Sequence, residues 1–161
     1  MGVTDEDRAF LERCLTLAEQ AVDHGDDPFG SLLVSAGGEV LLEDHNHVAT
    51  GDGTQHPELA IARWAAAHVE PDARPAMTVY TSGEHCPMCS AAHAWAGLGR
   101  IVFASSTAQL SGWRADLGVP PSPVSPLSIA EVAPGLLVEG PVPGLDERVR
   151  ALHVRHHRSR G

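Results

Sequence analysis

The sequence predicts an α/β fold in which helices pack on a mixed sheet. Three observations carry this. Short apolar, β-rich runs alternate with stretches of helical periodicity in the order α-β-β-α-β-α-β, and such alternation builds a sheet covered by helices. The first two β runs are joined through Gly37-Gly38, a hairpin signal, so this pair is antiparallel and the sheet is mixed. The chain has 161 residues, 43% apolar and 20% charged, enough for one domain with a substantial core.

Each element has its own signals. Residues 5–24 read as a helix: Thr4 suits the N-cap, acids fill the first turn, and Gly25 stops it. Cys14 shares one face of that helix with Phe10, Leu11, Leu17, Ala18 and Ala21, which reads as a buried core thiol. "DDPFG" is a turn, "SLLVSAGGEVLLEDHN" a hairpin, and "GDGTQ" a loop. Residues 57–69 read as a helix with Pro57 in the first turn, where its missing N–H does no harm. "EPDARP" is a turn and "AMTVYTS" a strand. Pro87 to Ala96 is a second helix, closed by Gly97, and "RIVFASS" another strand. Residues 118–144 are rich in Pro and Gly, with "PLSIAEV" and "GLLVEG" as short candidate elements. Residues 145–157 suit a last helix. Residues 1–144 thus form one domain, and 145–161 are a C-terminal helix and tail, packed on that domain or on a partner subunit.

Charge and hydropathy narrow the function classes. A net charge of −10 repels polyanions and argues against a nucleic-acid partner. The one basic cluster, Arg148, Arg150, Arg155, Arg158 and Arg160 among His153, His156 and His157, reads as a solvated last helix. No apolar run approaches the ~20 residues that span a bilayer. The stretch "MGVTDEDRAFLERCLTLAEQ" lacks the basic and apolar regions of a signal peptide. The expectation is a cytoplasmic protein with no membrane partner. Three cysteines make no disulfide framework.

The chemistry is concentrated in two stretches. "TSGEHCPMCSAAHAWAG", Thr81 to Gly97, is a strand running into a helix, with Cys86 and Cys89 at the turn. Alone, this CxxC reads as a redox pair or a metal site. Upstream, "QHPELAIARWAAAH" places His56 and Glu58 around Pro57 at another helix start. Two thiolates and one imidazole suit zinc. Helix N-termini favour thiolate over thiol. Three protein ligands leave a fourth position for water, whose pKa zinc lowers to about 7. Glu58, two residues past His56, can reach that water and carry protons without being a ligand. A second arrangement uses His85, Cys86, Cys89 and His93 as a closed structural zinc site in a binding module; it leaves His56 and Glu58 unexplained.

These residues resemble the cytidine deaminase-like superfamily of zinc deaminases. Its signature, H-x-E followed by P-C-x-x-C, stands here as His56-Pro57-Glu58 and His85-Cys86-Pro87-Met88-Cys89. The resemblance runs from about Pro28 to Phe103. It implies a three-layer α/β/α fold with a mixed central sheet, zinc held by His56, Cys86 and Cys89, Glu58 as catalytic proton shuttle, and hydrolytic loss of ammonia. Within the superfamily, "PFGSLLV", "EDHNHV" and "YTSGEHCPMC" resemble the guanine deaminase-like branch. That branch implies a free nucleobase as small-molecule substrate, guanine to xanthine first. Cytosine, isocytosine, triazine or nucleoside deamination are the alternatives. It also implies a homodimer whose C-terminal segment can close a partner's site. The sequence departs from the branch at His85 (usually Pro), Gly83 (usually Cys) and Pro57 (commonly Ala), the last lacking an N–H donor. The acids often found after "RIVFASS" are missing.

The remaining candidates have two readings each. By resemblance Asn46 holds the base; otherwise it is a turn residue. His45 and His47 share the opposite strand face and read as exposed histidines or metal ligands. Phe29, at a loop-to-strand junction, is placed to line a substrate pocket. Glu84 accepts a substrate N–H or serves as a structural acid. Trp64 and Trp95 lie inside helices and read as core, with Trp113 a further candidate to stack on a base. His93 reads as a helix residue packed under the site.

Overall fold

Thr4 opens the first helix, α1 (Asp5–Asp23), through a reciprocal cap: its hydroxyl accepts the Asp7 N–H, and the Asp7 carboxylate accepts the Thr4 N–H. The computed structural model describes residues 2–160. After α1 come β1 (Gly30–Val34), β2 (Val40–His45), α2 (Pro57–His68), β3 (Thr78–Gly83), α3 (Pro87–Ala96) and β4 (Ile101–Ser105). Then follow α4 (Thr107–Asp116), α5 (Ile129–Val132), β5 (Val138–Glu139) and α6 (Leu145–Ser159). The "EPDARP" turn is a short 3-10 helix, Pro71–Ala76. The strands form one sheet in the order β2-β1-β3-β4-β5. β1 runs antiparallel to both β2 and β3, while β3, β4 and β5 are parallel.

The sheet is mixed as expected, and alternating side chains feed two cores. Leu32, Val34, Tyr80, Val102 and Ala104 pack with Leu11, Cys14 and Leu15 of α1 and with Leu145 and Val149 of α6. Leu33 and Val79 face the other way, against Ile61, Ala62 and Ala65 of α2 and Ala96 of α3. The result is the three-layer α/β/α arrangement. β1 and β4 are buried throughout because helices cover both faces, and β2 is the half-exposed edge. A Cβ at Gly30 would run into the Cys14 carbonyl and the Leu17 side chain, so glycine lets α1 lie directly on the start of β1. Cys14 is fully buried, and burial pushes its thiol well above the ordinary range.

One polar cluster crosses these layers. Asp7, 3% exposed, accepts the Tyr80 hydroxyl at 2.6 Å and both terminal nitrogens of Arg100 at 2.9 and 2.8 Å. Arg100 also reaches Glu139 of β5 at 2.9 Å. The cluster pins α1 to β3, β4 and β5.

Two expectations change. The stretch "TAQLSGWRAD", which the sequence reading left without an element, is helix α4, opened by a Ser106–Gln109 capping box. Trp95 is not core: it is 91% exposed on α3, whereas Trp64 packs partly buried against the α2–α3 core. The last helix packs on its own chain. Leu145 and Val149 are buried against α1, and Arg148 and Arg155 pair with Glu12 and Asp23 of α1. The basic cluster is thus partly matched to the acidic face of α1. No helix among the described residues is long and apolar enough to cross a membrane.

Candidate active site

Two helix starts converge to build the site. His56 is the N-cap of α2, Pro57 its first residue and Glu58 its second; Cys86 is the N-cap of α3. Proline at each first turn sets the backbone there without losing a hydrogen bond. The His56 Nδ1 lies 3.5 Å from Cys86 Sγ and 3.6 Å from Cys89 Sγ. A tetrahedral zinc, with bonds of about 2.3 Å to sulfur and 2.0–2.1 Å to nitrogen, sets such atoms about 3.6 Å apart. The donor set and its spacing fit zinc.

The charges around the cluster agree. Hydrogen bonds from Cys89 and then His56 pull the Cys86 thiol down to about 4, while the contact with Cys86 and then burial push Cys89 up. His56 is raised, chiefly by its contact with Cys86. Two helix N-termini aimed at one thiolate-rich point favour the ionised form.

Glu58 is 5% exposed, and burial raises its carboxyl above the usual range. Its Oε1 sits 2.9 Å from the Ser31 hydroxyl and 3.1 Å from that of Thr81. The two hydroxyls lie 2.9 Å apart, and the Gly83 carbonyl, at 2.9 Å, is a second acceptor within reach of the single Thr81 hydroxyl proton. Sequence reasoning missed Ser31 and Thr81; the signal available was Ser31, the one hydroxyl residue in the apolar strand β1, while Thr81 is one of several hydroxyl residues in β3.

The structure sorts the other candidates. Asn46 is buried, at the end of β2 beside the entry to β1: its N–H donates to the Phe29 carbonyl and its Oδ1 accepts the Val48 N–H. Phe29 packs its ring against Gly83, with ring carbons 3.1 and 3.3 Å from where a Cβ would stand. The space of the side chain missing at Gly83 is thereby filled by Phe29. The same ring meets His153 of α6 edge-on, at 5.3 Å between centroids. Glu84 needs correction as a substrate residue. Its Oε1 accepts the Thr107 N–H at 2.9 Å and its Oε2 the Ile129 N–H at 2.8 Å, so the carboxylate holds the first turns of α4 and α5. His85 and His93 are buried edge-to-face, 5.5 Å between centroids, with His93 Nε2 on the Gly99 carbonyl. Neither joins the thiol cluster among the described residues. A separate cavity of about 360 Å³, lined by Trp113, Leu117, His153 and His157, includes none of the cluster residues.

Residues 4–105 match the cytidine and deoxycytidylate deaminase zinc-binding region, and the chain belongs to that family. A probable cytosine deaminase of Schizosaccharomyces pombe is 35% identical over 108 residues, 67% of this chain and 65% of that protein. The guanine deaminase of Bacillus subtilis is 36% identical over 98 residues, 60% of this chain and 62% of that protein. The matched region therefore spans a little under two thirds of either relative. The solved guanine deaminase of Nitrosomonas europaea superposes with a TM-score of 0.71 over 97% of this chain and 86% of its own. At 21% identity that likeness shows the fold alone.

Proposed function

We propose that the chain is a zinc-dependent hydrolase that removes an amino group from a free nucleobase, guanine to xanthine and ammonia first. The observation that carries this is the buried Glu58 carboxylate set two residues from the His56, Cys86 and Cys89 cluster. His56, Cys86 and Cys89 would hold the zinc. When bound, the metal supplies Lewis acidity that makes water a nucleophile near neutral pH.

The chain's own groups do the rest. Ser31 and Thr81 fix one oxygen of Glu58, which leaves the other to accept a proton from water and hand it to the base. Burial raises the affinity of Glu58 for protons, which suits a group that must take one and give it back near neutral pH. As the water oxygen bonds to the amino-bearing carbon, Glu58 passes the first proton to a ring nitrogen; it then carries the second proton from that oxygen to the amine, the C–N bond breaks, and ammonia leaves a carbonyl behind. In this reading Asn46 holds the base and Phe29 lines the pocket beside it. A neutral base needs no cationic groove, which agrees with the acidic chain. The protein acts as a cytoplasmic homodimer in this reading, with exposed Trp95 offering an apolar contact residue. Cytosine is the second reading, favoured by the relative from S. pombe.

Glu58→Gln tests the assignment. The variant keeps its zinc content and loses about 10²–10⁴-fold in ammonia release, the contribution of a positioned acid–base group. Full activity with zinc bound would remove Glu58 from the mechanism.

A further inference from the structure

A second set of ligating side chains lies apart from the thiol cluster. Asp26, in the turn after α1, meets His45 at the end of β2 and His47 just beyond it, with one donor atom of each within 4.8 Å of the others. The sequence separates Asp26 from the two histidines by the whole β1–β2 hairpin, and antiparallel pairing of Gly30 with His45 brings them together.

Both imidazoles already have the partner that a metal-bound histidine needs. The His45 Nδ1 lies 2.9 Å from the Asn46 carbonyl, and the His47 Nε2 lies 3.1 Å from the Asp44 carboxylate. An acceptor at one ring nitrogen fixes the proton there and leaves a lone pair on the other. With the protons held there, the nitrogens that keep a lone pair are His45 Nε2 and His47 Nδ1. Asp26 is 5% exposed and accepts one hydrogen bond on Oδ1, from the Ala49 N–H at 2.8 Å. Among the described residues it has no arginine partner, and the chain has no lysine. A buried carboxylate without a cationic partner is costly. His24 stacks on His45 at 5.5 Å between centroids.

We infer that Asp26, His45 and His47 bind a divalent transition-metal ion of the borderline class, such as zinc, cobalt or nickel. This site is independent of the reaction at Glu58. The ion ties together three segments that surround Asn46: the turn after α1, the end of β2, and the stretch at Ala49. It therefore rigidifies the loop that presents Asn46. Asp44 acts as a positioning residue, because it holds the His47 ring in its ligating tautomer.

Cobalt(II) titration of the chelator-stripped full-length protein separates the two sites. Thiolate ligation gives intense near-ultraviolet charge-transfer bands, and a nitrogen–oxygen site gives none. The wild-type protein takes up two equivalents, only one of which contributes to those bands. The His45→Ala/His47→Ala variant takes up one and keeps the full thiolate signal. Asp44→Ala retains the second equivalent with affinity weakened about 10–100-fold, the usual loss for an outer partner. If the double variant does not fold, His47→Gln alters a side chain already 44% exposed and should still lose the second equivalent. One equivalent in the wild type that carries the thiolate bands overturns the inference and makes the cluster a histidine–carboxylate network; one equivalent without them leaves the inference standing and removes the thiol site instead. A second equivalent of unchanged affinity in folded His45→Ala/His47→Ala or His47→Gln protein also overturns the inference.

Discussion

Replacing Asp7 with alanine should destabilise the protein without touching the thiol cluster. The magnitude follows from what Asp7 holds. Its carboxylate takes the Tyr80 hydroxyl, two Arg100 nitrogens and the Thr4 N–H. Removing one partner of a buried ion pair costs about 3–5 kcal/mol, because the other is left uncompensated. Arg100 retains Glu139, and its side chain is 22% exposed, so solvent screens part of the loss and the expectation is about 3 kcal/mol. For a chain of this size that is a fall in Tm of about 6–12 °C, at ~2–4 °C per kcal/mol. The effect is pH-dependent. Hydrogen bonds from Arg100 hold the Asp7 carboxyl well below the usual carboxylate range. Its contribution is complete above the unfolded carboxylate pKa of about 4 and is lost as pH falls from there toward the native value. Urea unfolding of wild type and Asp7→Ala should therefore show a gap that is full at pH 7 and shrinks below pH 4. A gap under about 1 kcal/mol at pH 7, where even a lost exposed pair would reach that size, refutes the reasoning. A gap that does not shrink in acid refutes it too.

Two further outcomes follow from buried groups. His153 is 8% exposed, and burial, then Arg114 and His156, push its pKa down to about 3. The unfolded chain protonates this histidine below about 6.5 while the native state refuses the proton, so stability falls by up to about 1.4 kcal/mol per pH unit toward pH 3. A His153→Phe variant should show a flatter stability profile over that window in urea titrations, and an unchanged slope would contradict the assignment. Glu84→Ala removes the acceptor for the first amides of α4 and α5, at about 1.5–3 kcal/mol for each bond to a charged group. It should lower Tm and speed hydrogen exchange at Thr107 and Ile129 while leaving KM for the base near the wild-type value. A large KM rise with unchanged Tm would return Glu84 to the substrate.

The sequence was legible wherever its signals were local. Thr4 with acids behind it marked α1, Gly37-Gly38 marked the hairpin, and proline at the starts of α2 and α3 marked the two helix ends that carry the cluster. The paired motif gave the site because a metal needs its donors at fixed helix positions. What stayed hidden depends on partners far along the chain. Glu84 reads as a free acid until Thr107 and Ile129 fold against it. Ser31 and Thr81 look like ordinary strand residues until α2 lays Glu58 across them. Gly83 reads as a departure from the branch, yet Phe29 fills its space. Trp95 was expected in the core because helix periodicity does not say which face of α3 is covered. α4 was missed although Ser106 and Gln109 form a capping box, because the Pro- and Gly-rich stretch beyond it masked the signal.

The most direct test is ammonia release by the zinc-loaded protein from guanine, cytosine, isocytosine, adenine, ammeline, guanosine and cytidine, with Glu58→Gln as the blank. Turnover of a free base, guanine foremost, is the expected result, and the Glu58→Gln protein lacks it. Turnover led by cytosine would keep the chemistry and replace the substrate. No turnover of any base by protein with zinc bound, or equal turnover by Glu58→Gln, would contradict the account.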